Sequence, residues 1–272
     1  MTAPLFLFDP TCDDTPVNTD ELHTGWKLTL PAHVRKHALQ VLRLQEGDHL
    51  QLSDGAGLRI QARLEDTSSG LVEVTAVGKE PSALVKVSLV QALAKGGHDE
   101  QAIDMATQIG LNAVIPWQAD RSIVKWKADK MERKWGNVLH AACEQSRRAW
   151  LPTLHSCCSS RQLASYCRGQ SEQGNLVLLL HQDAAQSWQQ VRSRVQALSQ
   201  QAQEREICVI VGPEGGVSDA EAEALVAAGA VATRMGANIL RASAAGPVAI
   251  SIISDWLGRF DHVPGSLQPL AL

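Results

Sequence analysis

The sequence predicts an α/β protein. A small β-rich region over 1–80 precedes a larger region over 81–260 built on a mostly parallel sheet, and a short tail follows over 261–272. Three observations carry this expectation. Before residue 80, apolar residues alternate with polar ones, the period of a half-buried strand. From Leu84 onward, short apolar runs alternate with stretches of helical periodicity, the signature of strand–helix–strand units. Two of the later runs break abruptly into glycine-bearing loops, Gly212-Pro-Glu-Gly-Gly216 and Met235-Gly-Ala-Asn-Ile-Leu-Arg241. With 272 residues, 44% of them apolar, the chain has ample material for a packed core.

Taken in order, Val34 to Leu44 has helical spacing, with Val34, Ala38, Val41 and Leu42 on one side. Leu50 and Leu52 alternate with polar neighbours before a turn at Asp54-Gly55. Leu58, Ile60, Ala62 and Leu64 repeat the pattern, and Val72, Val74 and Ala76 do so again after Ser68-Ser69-Gly70. Such segments, separated by turn residues, predict a small antiparallel barrel. Glu80-Pro81-Ser82 reads as the junction. Beyond it, Val85 to Leu93 predicts a strand and His98 to Ile109 a helix closed by Gly110. Ala113 to Trp117 predicts a second strand. Met131 to Trp150 predicts a long amphipathic helix, with Trp135, Leu139 and Cys143 on its apolar face. Ser159 to Gly174 is polar and reads as a loop. Leu176 to Leu180 predicts a buried strand, Ser187 to Gln203 a helix, and Ile207 to Val211 the next strand. Ser218 and Glu221 form a capping-box pattern that opens a helix ending at Gly229. Val231 to Met235 predicts a strand. A last helix spans Ala244 to Leu257, and Pro247 must lie in its first turn or kink it.

Charge is unevenly spread. Between Arg121 and Arg148 stand eight basic and three acidic residues, a local +5, while the net charge of −4 leaves −9 elsewhere. A basic island on an acidic chain reads as a patch for a polyanion. It interleaves Lys125, Lys127, Lys130, Arg133 and Lys134 with Trp126 and Trp135. Cations neutralise phosphates, and an exposed Trp offers a stacking surface for an unpaired base. Trp135 belongs to the apolar face, so Trp126 is the stacking candidate.

No Cys-x-x-Cys pair exists, and Cys157-Cys158 are adjacent, a poor start for a zinc site. Cys143 and Cys208 read as buried thiols. His33 and His37 are four apart but lack a third ligand, so no metal is expected; beside Arg35, Lys36 and Arg43 they read as part of an RNA-contact surface. The absence of a basic stretch before Leu5-Phe-Leu-Phe8 argues against a signal peptide. No apolar run approaches the ~20 residues needed to span a bilayer. A cytoplasmic protein is expected.

The loop at Gly212 is not a phosphate loop, because no Lys-Ser or Lys-Thr follows at the required spacing, and it lacks the Gly-x-Gly-x-x-Gly dinucleotide pattern. Its partner loop at 235–241, again at a strand's end, points to a small ligand held beyond the carboxyl ends of parallel strands.

Gly212-Pro-Glu-Gly-Gly216, Ile239-Leu-Arg241, Ala94-Lys-Gly96, Ala119-Asp-Arg-Ser122 and Glu144-Gln-Ser-Arg147 occur in the order found in the RsmE-type 16S rRNA methyltransferases. The chain resembles that family, a branch of the SPOUT superfamily, over nearly its whole length. The resemblance implies a PUA-like N-terminal barrel, a parallel sheet with a C-terminal trefoil knot, and a homodimer. It also implies S-adenosyl-L-methionine as cofactor and methylation of a uridine N3 in 16S rRNA, free or in the assembled small subunit. Carried onto this chain, the cofactor would be lined by Leu180, His181, Gly212, Pro213, Glu214, Gly215, Gly216, Met235, Gly236, Ile239 and Leu240. Glu214 could instead order its own loop, and His181 could simply be hydrogen-bonded.

Arg241 is the first candidate for chemistry. Uracil N3 is a poor nucleophile until its proton leaves, and a fixed guanidinium stabilises the developing anion. The competing role is a salt bridge. Arg121 is the second candidate, with a phosphate contact as its alternative. No general base stands out. Arg35, Lys36, Arg43, Lys95, Lys125, Trp126, Lys127 and Arg147 are the expected RNA contacts.

The chain departs from the family where Thr-Glu-Thr-Ala usually follows the arginine; here Ala242-Ser-Ala-Ala245 stands. The usual arginine beside the N-terminal strand is also missing, and Gly97-His98-Asp99 replaces the usual start of the helix after Lys95-Gly96. Two other functions are compatible with the pattern: a ribose 2′-O methyltransferase of the same superfamily, and a non-catalytic RNA-binding protein on the same scaffold.

Overall fold

A computed structural model describes residues 3–11, 16–261 and 268–269. The chain divides into two compact units. The first takes the described residues up to Ser82, Cys143–Leu151 and the strand Gln268–Pro269; the second takes Ala83–Ala142 and the described residues from Pro152 to 261. Most of the expected tail, 262–267 and 270–272, lies outside the described residues, as does Cys12.

In the first unit, β1 (Leu5–Leu7), β2 (Lys27–Thr29), β3 (His49–Ser53), β4 (Leu58–Asp66) and β5 (Leu71–Lys79) make one sheet with Gln268–Pro269. The alternation read along 50–74 is the burial pattern of the strands: Leu50, Leu52, Leu58, Ile60, Ala62, Leu64, Val72 and Val74 all face one core. It fails at Ala76, because a register shift against β4 puts Val77 opposite Ile60 and against the core instead. The sheet is not wholly antiparallel, because β1 pairs with β3 in parallel, Leu5 opposite Gln51. The helix expected from Val34 to Leu44 is shorter and irregular. A short α1 (Ala32–Lys36) passes into a π-helical turn over His37–Val41. Val34 and Ala38 are buried, while Val41 and Leu42 stay exposed, so the expected single apolar side is split.

The second unit runs β6 (Val85–Ala92), α2 (His98–Ile109), β7 (Ala113–Gln118), α3 (Ala128–Ser146, whose residues from Cys143 on belong to the first unit), β8 (Thr153–Leu154), β9 (Cys158–Ser159), α4 (Ser160–Glu172), β10 (Leu176–Leu180), α5 (Trp188–Ser199), β11 (Arg205–Val211), α6 (Asp219–Ala227), β12 (Val231–Thr233) and α7 (Ala242–Trp256). Its strands lie in the order β12-β10-β11-β6-β7-β8, with β9 beside β7, and every pairing is parallel. β11 lies between β6 and β10, so its end is central in the sheet. Strands covered on both faces read as continuous apolar runs, and Ile207 to Val211 is buried throughout.

Gly110 ends α2 in the left-handed conformation at φ 117°, as its position required. The capping box of Ser218 and Glu221 is formed. Three expectations need correction. The segment 159–174 is a helix, α4, opened by a capping box of Ser159 and Gln162, and it buries Leu163 and Cys167. The helix expected to reach Trp150 ends at Ser146; Arg147 takes a left-handed turn at φ 56° and Arg148 N–H reaches back to the Cys143 carbonyl. The last helix begins at Ala242, two residues before the expected Ala244, so Pro247 lies beyond its first turn.

Candidate active site

The end of β11 opens into the loop 212–217, and a cavity of about 700 Å³ sits there within the second unit. Its wall combines the ends of β10 (Leu180, His181) and β11, the loops 212–217 and 235–240, and the start of α7 with Arg241. His98 of α2 and Arg121, from the turn after β7, complete it. Leu180, His181, Gly212, Pro213, Glu214, Gly215, Gly216, Met235, Gly236, Ile239, Leu240, Arg121 and Arg241 thus share one cavity. The sequence missed His98, Asp183, Asp219, Arg234 and Asn238, which also line it. Each stands in or close to a recognised motif, but their convergence depends on the strand order of the sheet.

The 212–217 loop is tightly made. A Cβ on Gly212 would stand 2.6 Å from Val217 Cγ2, so any larger residue would force Val217 or the loop to shift. Gly216 has φ +72°, where an L side chain is strained. Glu214 Oε1 accepts from Lys95 N–H at 2.8 Å, so its carboxylate ties its own loop to the segment after β6. Arg121 Nη1 donates to the Gly215 carbonyl at 3.2 Å and is 3.5 Å from that of Val217.

Behind the loop lies Glu221, 4% exposed. One carboxylate oxygen accepts from Ser218 N–H (3.0 Å) and the Ser218 hydroxyl (2.9 Å). The other accepts from Asp120 N–H (2.8 Å) and the Ser160 hydroxyl (2.6 Å), which in turn accepts from Trp117 Nε1. Burial opposes ionisation, yet these hydrogen bonds outweigh it and hold the carboxyl below its ordinary value of 4.5. The group therefore stabilises the fold above about pH 4.5, and that contribution is lost as pH falls through the lowered value. Asp99 is the opposite case: burial raises its carboxyl, against hydrogen bonds from Ala94 N–H and Glu100 N–H.

The second loop is open. Gly236 has φ +76° and a Cβ there would meet nothing within 4 Å, and Ile239 is 77% exposed. Arg241 is exposed at the N-cap of α7, where its carbonyl accepts from Ala244 N–H and Ala245 N–H. Among the described residues no ion pair engages its guanidinium. His181 Nδ1 accepts from Asp183 N–H at 3.3 Å, which shapes the turn after β10.

Of the expected RNA contacts in this unit, Lys95, Lys125 and Lys127 are exposed. Trp126 is only half-buried, edge-on to the fully buried Trp135 with ring centroids 5.4 Å apart, so part of its surface is already used. Gln118 holds this stretch: its amide donates to the Val124 carbonyl and accepts from Trp126 N–H. In the first unit, Arg35, Lys36 and Arg43 are exposed. Arg35 donates to the Ser69 carbonyl, and Arg147 is partly buried with its carbonyl accepting from Arg59. His33 bonds the Leu7 carbonyl and His37 lies 3.9 Å from Glu144, whose carboxylate also accepts from Leu7 N–H. Among the described residues no cluster of His, Cys, Asp or Glu could hold a metal, and no helix is long and apolar enough to cross a membrane.

A parallel sheet with a ligand-sized cavity at its carboxyl ends, in a chain that also carries a separate small β unit, defines the class: residues 80–254 match the RNA methyltransferase domain, and residues 30–77 the RNA methyltransferase PUA domain. The chain is 34% identical to the ribosomal RNA small subunit methyltransferase E of Mycobacterium bovis, over 96% of this chain and 95% of that protein. It is 32% identical to the protein of the same name from Synechocystis, over 81% and 71%. The chain belongs to this ribosomal RNA small subunit methyltransferase E family. Among solved structures it resembles a methyltransferase of Legionella pneumophila in complex with the bound cofactor SAM, at 25% identity and TM-score 0.74 over 94% of this chain and 98% of that one. It shares its fold with the ribosomal RNA small subunit methyltransferase E of Neisseria gonorrhoeae, at 24% identity and TM-score 0.76 over 93% and 97%.

Proposed function

We propose that this protein is a cytoplasmic, homodimeric enzyme that transfers a methyl group from S-adenosyl-L-methionine to N3 of a uridine in 16S rRNA. The observation that carries this reading is the pairing of two glycine-bearing loops around one cavity, with the guanidinium of Arg241 at its rim and no ion-pair partner among the described residues. On this reading the connections among β10, β11 and β12, which lie side by side in the sheet, form part of a trefoil knot. Residues 1–80 are then an RNA-binding domain, which the segment Cys143–Leu151 joins in the first unit, and the rest of 81–260 is a catalytic domain.

The residues present fit the cofactor. The cavity falls in the range of small-molecule sites, roughly 300–1,000 Å³, and Gly212 lets the loop pack tightly against Val217, where a Cβ would stand 2.6 Å from its methyl group. Leu180, Met235, Ile239 and Leu240 would supply apolar contact, and the 212–216 and 236 backbone would supply hydrogen bonds. When bound, S-adenosylmethionine presents an electrophilic methyl group on a sulfonium whose leaving group is a neutral thioether. Arg241 would place its positive charge beside the uracil carbonyls, which favours loss of the N3 proton and stabilises the anion that results. Lys95, Lys125, Lys127, Arg35, Lys36, Arg43 and Arg147 would neutralise phosphates, and the free part of the Trp126 ring would meet a base.

The test is methylation of small-subunit RNA, taken from cells lacking this gene, by the purified protein. Mass spectrometry of nucleosides should show 3-methyluridine. A product resistant to alkaline cleavage would make this a ribose 2′-O enzyme. Failure to bind S-adenosylmethionine at millimolar concentration would leave the RNA-binding scaffold as the function.

A further inference from the structure

We propose that Glu221 is a positioning residue for the cofactor loop, acting at a distance through the backbone of Asp120 and the guanidinium of Arg121. The inference rests on the cofactor reading of the cavity. A capping-box glutamate usually turns one oxygen to the N-cap N–H and leaves the other to solvent. Here the second oxygen leaves the helix and takes Asp120 N–H at 2.8 Å, a residue 101 positions away in sequence. It also takes the Ser160 hydroxyl at the first residue of α4, so the starts of two helices and the turn after β7 meet on one carboxylate.

A buried carboxylate is costly unless it is well satisfied. Glu221 has no ion-pair partner among the described residues, and is held instead by N–H and O–H donors near two helix N-termini, which favour negative charge. A helix cap alone requires neither the burial nor the long-range bond. The consequence falls on the next residue. Once Asp120 N–H is anchored, Arg121 begins from a fixed point, and its guanidinium reaches the Gly215 carbonyl on the far side of the loop. A Cβ on Gly215 would lie 3.2 Å from Arg121 Cβ, so loop and arginine are in close contact along the stem as well. Glu214, bonded to Lys95 N–H, braces the loop on its other side. Arg121 is thereby assigned to holding the loop, rather than to phosphate or to the reacting base.

Glu221→Gln tests this, because a glutamine can keep acceptors for only one side of the bracket and turns its NH2 toward donors on the other. Calorimetry with S-adenosylmethionine should show at least tenfold weaker binding for Glu221→Gln in the wild-type background, and less than a twofold change when Arg121→Ala is already present. Ser218→Ala, which removes the cap hydroxyl and its 3.5 Å contact with the Asp120 carboxylate but leaves the bond from Asp120 N–H to Glu221, should cost thermal stability with little change in cofactor affinity. Equal losses of affinity in both backgrounds, or a Ser218→Ala variant as weak as Glu221→Gln, would overturn the proposal. If Glu221→Gln does not fold, Ser160→Ala removes one bond to the same oxygen and is read in the same cycle. Hydrogen exchange at 214–217 needs no cofactor: faster exchange in the variant supports the bracket even where wild-type protein fails to bind S-adenosylmethionine, and unchanged exchange sinks it.

Discussion

Two loops face the same cavity and are built on opposite plans. The 212–217 loop is bonded on both flanks, by Glu214 to Lys95 N–H and by Arg121 to the Gly215 carbonyl, and Gly212 is pressed against Val217. Across the cavity, residues 236–240 are exposed, and among the described residues none of 235–240 makes a backbone hydrogen bond. A loop ordered in advance loses little freedom when a ligand arrives, whereas an open one is ordered at the moment of binding and that cost reduces affinity. The braced loop therefore presents a ready-made wall to the cofactor; the open one is ordered as the cofactor arrives and leads into Arg241, whose own contact is made only when both substrates are present.

The largest expected effect separates those roles. Arg241→Ala should slow methyl transfer by ~10²–10³-fold, the range for losing one donor to a developing anion. S-adenosylmethionine affinity should change by less than about threefold, since the ~1.4 kcal/mol that a tenfold loss represents would require a ground-state contact. Single-turnover assays beside calorimetry measure both. An equal loss in affinity and rate would show that Arg241 belongs to the binding wall and would erase the division of labour.

Gly212→Ala attacks the braced loop from inside. The new methyl would meet Val217 Cγ2 at 2.6 Å, and overpacking of this kind costs about 1–3 kcal/mol. If the strain is carried by the loop, cofactor affinity should fall roughly 5- to 140-fold by the same measure. A drop in thermal stability with unchanged affinity would place Gly212 in the core rather than the site.

Much of this arrangement is legible along the chain, because it is written in local patterns. The end of β11, the turn glycines and the Ser218–Glu221 box are adjacent in sequence and fold as adjacent parts. What is not legible is long-range or compositional. Glu221 is recognisable as a cap, but its bond to Asp120 joins segments 101 residues apart and has no local signal. α4 reads as a loop because its surface is polar; the Ser159–Gln162 box and the four-residue spacing of Leu163 and Cys167 are the available cues. The π-helical turn at His37–Val41 keeps the apolar residues of a helix but changes their phase, so periodicity predicts a side that does not exist. Trp126 reads as free because its contact, Trp135, is nine residues on and faces the core.

Glu214 offers a finer test of bracing. Glu214→Ala removes the acceptor for Lys95 N–H, a bond worth about 1 kcal/mol, and should weaken S-adenosylmethionine binding about fivefold. Glu214→Gln retains an acceptor oxygen and should bind nearly as well as wild type. If both variants fail alike, the carboxylate charge itself meets the ligand, and calorimetry of the pair decides between the two roles.

The smallest effect is expected in the open loop. Gly236 has φ +76°, but a Cβ there would meet nothing within 4 Å. In a fixed backbone, Gly236→Ala would cost about 1–2 kcal/mol of folding stability, the usual penalty for a left-handed non-glycine residue. In a loop without backbone hydrogen bonds the chain can relax away from that conformation, so the melting temperature should be almost unchanged. The penalty returns only when a ligand demands the original backbone, and should then appear as a few-fold loss of cofactor affinity. Hydrogen exchange supplies the companion measurement: amides of 236–240 should exchange fast in the free protein and slow on adding S-adenosylmethionine, while those of 214–217 change little. Should Gly236→Ala lower the melting temperature by several degrees, the second loop would be as rigid as the first, and the contrast between them would reduce to one of exposure alone.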